Sequence, residues 1–277
     1  TLFTEDRFLR TLGFEKTAKK TLDKVSPDIM KHLEDTCYGI NAYVQNLSPN
    51  EYPLEFKLLQ IEELPVFEPL DIIALSTTMA WELQGGWDSE LFFGAINEQL
   101  GPDYLAEVLP SYKEDYVTIA SNDVLLKSYQ QFASDTKNLR NLLKTDRDGY
   151  GSNAWAVSGS KTSSGKPLLA NDPHLAYNQP PWWYEIRLKS NNFNFGGYGL
   201  YGFPLPVIGH NEHIGWGFTN VMTDDMDFYI ESLNEDQTQY YVDGQWRDLL
   251  IEEEEITLKS GDVRKITIRS THRGPII

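Results

Sequence analysis

Gly151-Ser152-Asn153-Ala154-Trp155-Ala156-Val157-Ser158-Gly159-Ser160 is where the chain changes grammar. Before it, apolar residues recur at helical spacing. After it, short aromatic and β-branched runs are separated by turn residues. The segment leading in, Thr145-Asp146-Arg147-Asp148-Gly149-Tyr150-Gly151, is polar and glycine-rich, which predicts an exposed, flexible junction. An α+β class follows, helical in the first half and built of antiparallel strands in the second.

Working back from the junction, Asp123 to Leu139 has the composition of a helix, and Pro110 closes a shorter one. Asp71 to Leu83 and Ser89 to Leu100 form two more, separated by Gly85-Gly86. Pro49 to Pro53 and the stretch holding Pro65 and Pro69 are breaks. Met30, Leu33, Cys37, Ile40 and Val44 are spaced 3, 4, 3 and 4 apart, one face of an amphipathic helix. Ser26 before Pro27 supplies its N-cap and first helical residue. The expected division is a helical portion over 1–134, a spacer over 135–151 and strands over 152–277.

Working forward, strands are predicted at Trp155 to Val157, Pro167 to Ala170, Trp183 to Leu188 and Phe193 to Leu200. Later ones are Ile214 to Phe218, Asp227 to Ser232, Leu249 to Leu258 and Val263 to Ser270, the last two joined by a hairpin loop at Lys259-Ser260-Gly261-Asp262. Alternation in Lys265-Ile266-Thr267-Ile268-Arg269 indicates one buried face. Glu252 to Glu255 reads as an exposed strand rim. His210 and His213 read as members of a solvent-facing loop.

Composition narrows the function. The 277 residues carry 24 Lys+Arg against 41 Asp+Glu, a net charge of −17, and such a field repels a phosphate backbone. Nucleic acid is therefore excluded as a partner, and a bound cation is favoured. The single cysteine, Cys37, excludes an intrachain disulfide framework and a thiolate zinc site. No apolar run approaches the roughly 20 residues needed to cross a bilayer. Thr1-Leu2-Phe3-Thr4-Glu5 lacks the basic start and apolar run of a signal peptide, and the chain ends abruptly at Arg273-Gly274-Pro275-Ile276-Ile277. The expectation is a piece of a longer protein.

The stretch from Gly151 to Ser160, continued by Ser164-Gly165-Lys166-Pro167-Leu168-Leu169-Ala170-Asn171-Asp172-Pro173-His174-Leu175, resembles the start of the β-chain in the penicillin acylase (penicillin amidase) family. The resemblance extends through Gly209-His210-Asn211, Ile214 to Asn220, Asp224-Asp225-Met226-Asp227 and Thr271 to Ile276. Upstream, Asp6-Arg7-Phe8-Leu9-Arg10 and Trp87-Asp88-Ser89-Glu90 are similar to its α-chain. These are N-terminal nucleophile hydrolases, made as precursors that cut themselves before a serine. The resemblance implies an αββα sandwich, represented here in part, and cleavage between Gly151 and Ser152. It also implies a periplasmic or extracellular location.

The chemistry explains the residue types. A serine hydroxyl is a weak nucleophile and needs a base. Cleavage would give Ser152 a free α-amine with a pKa of about 7.7–8.0, able to take the hydroxyl proton through a water. There is no Gly-x-Ser-x-Gly elbow to support a conventional serine hydrolase. By the resemblance, His174, 22 residues on, holds the serine and its amine in position, and Asn220 gives a backbone N–H to the oxyanion, or Val221 if the alignment slips by one. The family's second oxyanion donor and its supporting arginine lie beyond Ile277. This stretch alone is therefore expected to be uncut or inactive, with residues 145–151 covering the acyl pocket.

The resemblance further implies a calcium ion held by Asp224, the carbonyl of Met226, Asp227 and Glu90, and no organic cofactor. Carboxylates this close repel unless a cation or donors neutralise them, and calcium takes oxygen ligands of this kind. An exposed acidic turn is the alternative. Leu175, Trp182, Ile208 and Met222 match the acyl pocket, with Met79 and Leu83 as contributors, although the same residues could be ordinary core. An apolar pocket implies a small amide with an apolar acyl group. Penicillins, other amides and acyl-homoserine lactones all stay open as substrates. The partners are then a small-molecule amide and the remaining parts of the protein's own α- and β-chains. The rival reading is a non-catalytic fragment with a structural calcium site.

Overall fold

The computed structural model describes residues 3–84, 87–108, 131, 133–139, 141, 151–175, 181–223 and 226–277. It is 39% helical and 26% strand, the mixed α+β content expected. Helices α1 (Phe3–Leu12), α2 (Phe14–Leu22), α3 (Pro27–Val44), α4 (Leu54–Leu58), α5 (Pro69–Leu83), α6 (Trp87–Leu100) and α7 (Pro102–Val108) fill the first part. Residues 133–139 are also helical. The Gly85-Gly86 break, Pro110 and the start of the helix expected from Asp123 lie outside the described residues, as do residues 145–150 of the junction.

Eleven described strands follow, and every pair is antiparallel. β1 (Gly151–Val157) pairs with β2 (Leu168–His174). β3 (Tyr184–Lys189), β4 (Asn194–Gly199), β5 (Ile208–Asn211) and β6 (Gly215–Trp216) form a meander in that order. β7 (Ser232–Leu233), β8 (Gln239–Val242) and β9 (Gln245–Asp248) form a second, and β10 (Leu250–Thr257) pairs with β11 (Val263–Ser270). The strand expected over Asp227 to Ser232 is corrected: only Ser232 joins a ladder. Arg273 instead stacks 4.7 Å over the Tyr229 ring and reaches Glu231 at 2.7 Å, so this segment is held by side chains. Ile214 to Phe218 shortens to two residues. His210 sits on β5 rather than in a loop, exposed, with His213 in the turn after it.

Contacts divide the chain into two compact units. One comprises Glu15–Glu82 and Lys144–Val221. Ser26 caps α3, accepting from the Ile29 N–H, and Pro27 opens the helix. The expected face is the covered one: Leu33 and Cys37 are buried and pack with Ile72 of α5, while Leu22, Val25, Phe67, Ile73 and Phe203 close around them. Phe203 comes from the strand-rich half, so helix and strand segments share this core. Asn41 on α3 fastens the approach to α5: its side-chain amide donates to the Phe67 carbonyl and its oxygen accepts from the Phe67 N–H, both at 2.8 Å.

The other unit comprises Thr1–Phe14, Leu83–Leu143 and Met222–Ile277. Alternation along β10 and β11 buries Ile256, Ile266 and Ile268, packed with Phe3 and Leu258. The glutamate run faces outward as expected at Glu253 and Glu255, while half-buried Glu254 accepts from Arg10 of α1 at 3.0 Å. Arg10 also holds Asp6 at 2.9 Å, and these two hydrogen bonds raise its already high pKa. A second small core gathers Tyr240, Val242 and Leu249 with Leu233 and Ile276. Among the described residues, no helix is long and apolar enough to cross a membrane.

Candidate active site

The hairpin of β1 and β2 fixes the register around the candidate nucleophile. Gly151 stands opposite His174, Ser152 opposite Pro173 and Asn153 opposite Asp172. Residues directly opposed across an antiparallel pair point to the same face, and successive residues alternate. Gly151, Asn153, Asp172 and His174 therefore share one face, and Ser152 projects from the other. His174 thus lies one register position from Ser152, beside the Gly151–Ser152 peptide. A Cβ built on Gly151 would sit 3.6 Å from His174 Nδ1.

Asp172 and His174 engage each other. Nε2 of the imidazole lies 2.8 Å from Oδ2 of the carboxylate, which also accepts from Asn153 Nδ2 at 3.4 Å. The bond to His174, with help from Asn153, holds the Asp172 carboxyl below its ordinary pKa. Neither Asp172 nor Asn153 was singled out from the sequence. The available signal was parity: residues two apart on a strand share a face, so 172 and 174 had to meet if β2 reached His174.

A second tie leaves from the same strand. Asn171 is the only residue of β2 besides Pro173 that is partly covered. Its Nδ2 donates to the Asn153 carbonyl at 2.8 Å and to the Phe218 carbonyl at 3.0 Å, and its Oδ1 accepts from the Phe218 N–H at 3.1 Å. Phe218 lies two residues before Asn220 in a segment without regular secondary structure. Asn220 itself is exposed. The indole of Trp216, just upstream, donates to the Val207 carbonyl at 3.0 Å and anchors the start of that segment.

The residues matched to an acyl pocket divide. Trp182 and Ile208 are buried, Trp182 against the Tyr201 ring at 6.0 Å, and Leu175 is half-buried. Burial pushes the Tyr201 hydroxyl pKa up. Met222 is 54% exposed, has a left-handed backbone with φ of 54°, and belongs to the other compact unit.

Of the four residues matched to calcium, Asp224 lies outside the described residues. The other three belong to one unit. Glu90 Oε2 accepts from the N–H of Phe228 at 3.3 Å, which brings the glutamate of α6 to the segment carrying Met226 and Asp227. Among the described residues there is no group of three or more His, Cys, Asp or Glu that could hold a metal ion. The donors offered, two carboxylates and a backbone carbonyl, are all hard oxygens, which fits calcium rather than a soft metal.

An acyl-homoserine lactone acylase, QuiP, from Pseudomonas aeruginosa is 26% identical over 98% of this chain and 33% of the relative's length. A penicillin acylase 2 proenzyme from a Pseudomonas strain is 26% identical over 98% of this chain and 36% of its own. Among solved structures, a thermostable penicillin G acylase from Alcaligenes faecalis is 29% identical, covering 45% of this chain and 23% of its own, with a TM-score of 0.42. The chain spans about a third of the length of the curated relatives it matches. The sequence model described as penicillin amidase matches residues 2–277. The chain belongs to the penicillin amidase family.

Proposed function

We propose that the protein of which this chain is part hydrolyses amides by acyl transfer to Ser152, after cleavage between Gly151 and Ser152 has freed the serine's α-amine. The observation carrying this reading is the family match across residues 2–277, with Gly151 and Ser152 at the head of β1, opposite the His174 end of β2. The amine, through one water, takes the proton from Oγ as Oγ attacks the substrate carbonyl. The oxyanion accepts a hydrogen bond from the backbone N–H of Asn220. A donor of this kind is worth roughly 2.7–4 kcal/mol in related chemistry. Collapse expels the substrate amine, which takes the proton back, and water then hydrolyses the acyl-serine by the same route. His174, held by Asp172 on the opposite face from the Ser152 hydroxyl, serves the amine end of the residue.

Leu175, Trp182 and Ile208 line the acyl pocket in this reading, which suits an apolar acyl group. Hydrophobic side chains of this kind suit the acyl group of a penicillin and that of an acyl-homoserine lactone alike. Relatives named for each substrate class, an acyl-homoserine lactone acylase and a penicillin acylase, align over 98% of the chain at 26% identity, so both classes belong in the assay. Asp224, the Met226 carbonyl, Asp227 and Glu90 would hold calcium, which when bound neutralises the clustered carboxylates.

The test is intact-mass analysis of the full-length protein. Two chains are expected, the second beginning at Ser152, and Ser152→Ala should stay as one. Amide turnover by an uncut wild type would sink the mechanism. A protein that binds calcium but turns over neither amides nor acyl-homoserine lactones would favour the structural rival.

A further inference from the structure

Three features combine at Asn171. Its side-chain amide is engaged at both ends: Nδ2 donates to the carbonyls of Asn153 and Phe218, and Oδ1 accepts from the Phe218 N–H. Flipping the amide would turn its oxygen onto two carbonyl oxygens, so one orientation alone satisfies the network. Second, the partners differ in kind. Asn153 directly follows Ser152 on β1, whereas Phe218 directly follows the glycine after β6 and precedes Asn220 by two residues. Third, the fit is close. A Cβ on Gly217 would lie 2.7 Å from both Cβ and Oδ1 of Asn171, so only glycine lets the amide approach.

We propose that Asn171 is the positioning residue that sets the distance between the Ser152 nucleophile and the oxyanion-binding N–H of Asn220. The inference rests on the acyl-transfer reading above and deepens it. The amide does for Phe218 what a neighbouring strand would do, engaging both backbone groups where regular pairing has ended at Trp216. Through the Asn153 carbonyl it grips β1 one residue from the nucleophile. Oxyanion donors act only when held in advance at the position the charge will occupy. A tie that fixes Phe218 relative to Asn153 supplies that hold without touching substrate.

The test uses full-length protein carrying Asn171→Ala or Asn171→Asp, the second having the same shape but no amide donors. The expected result is a kcat reduced 10- to 100-fold with KM within threefold, and Ser152 still released as an N-terminus. Inhibition by a phenylmethylboronic acid, which forms a tetrahedral anion on serine, should weaken in proportion to kcat. Binding of the matching phenylacetate should not change. A core variant such as Leu33→Ala should lower the melting temperature without this pattern. Gly217→Ala, which keeps every donor but crowds the amide, should lower kcat alone and serves if the Asn171 variants remain uncut. Wild-type kcat in Gly217→Ala and in whichever Asn171 variants are cut, or losses shared equally by KM and boronate and phenylacetate binding, overturns the proposal. If Ser152→Ala keeps full turnover, the acyl-transfer reading falls and takes this one with it; if it is inactive while the Asn171 variants are normal, only the positioning role falls.

Discussion

His174 Nε2 lies 2.8 Å from Asp172 Oδ2, two residues back along the same strand. The pair sits on the face of the hairpin opposite the Ser152 side chain, so the histidine has a carboxylate partner of its own before any cleavage.

That pairing has an acid limb. The Asp172 carboxyl is held below its ordinary value chiefly by the bond to His174. A depressed carboxyl contributes stability at pH values above the unfolded pKa, near 3.9, and loses it as pH falls through the folded value. Asp172→Asn should therefore flatten the fall in melting temperature between about pH 5 and pH 3 while leaving it small in size, because both side chains are half exposed. An unchanged acid limb would show that the bond contributes nothing in solution.

Cys37 should be nearly inert in the folded protein. It is 4% exposed, and burial, with the charges of Asp71 and Glu68, raises its thiol pKa. The thiolate is the reactive form, so labelling at pH 8 should be slow until denaturant opens the core of α3 and α5, then rapid. Fast labelling without denaturant would show that this core opens readily.

Gly202→Ala should destabilise more than Gly165→Ala. Both glycines are left-handed, at φ of 71° and 70°. Alanine costs about 1–2 kcal/mol for that backbone alone. At Gly165 the added methyl meets nothing within 4 Å, whereas at Gly202 it would lie 2.6 Å from the Phe67 ring and must displace it from the core. Equal losses by thermal melting would mean that Phe67 moves aside freely.

Calcium should raise the melting temperature of the full-length protein, and a chelator should lower it. Glu90→Gln keeps an acceptor for the Phe228 N–H but removes the charge, so it should abolish most of the calcium shift with little effect in chelator. A shift that survives in Glu90→Gln would remove this glutamate from the ligand set.

The sequence was most legible where one face is buried. The five apolar residues of α3 and the isoleucines of β11 mark covered faces because a core demands that period and no other. It was least legible where turns or side chains act for the ladder. The β8–β9 hairpin was missed although Asp243-Gly244, both left-handed at φ of 52° and 78°, is a strong turn signal between Tyr and Trp residues. The segment from Asp227 has the aromatic and β-branched run of a strand, yet Arg273 holds it from the side, over the Tyr229 ring and at Glu231. At the candidate site, family resemblance marked Ser152, His174 and Asn220. Asn171 and Asp172 escaped because asparagine and aspartate usually weaken a strand. Their use depends on which residues stand opposite them, and a linear reading does not contain that register.

The ladder between β1 and β2 has seven rungs, and Gly151 opposite His174 is the outermost. A cut after Gly151 would take away that rung and leave six, from Ser152 opposite Pro173 to Val157 opposite Leu168. Maturation would then need no search for a new conformation. The nascent terminus would inherit coordinates set during folding, its backbone entropy already spent before the amine exists. Hydrolysis of that one peptide bond would change what the nitrogen can do, from amide to base, while the scaffold that aims it stayed the same.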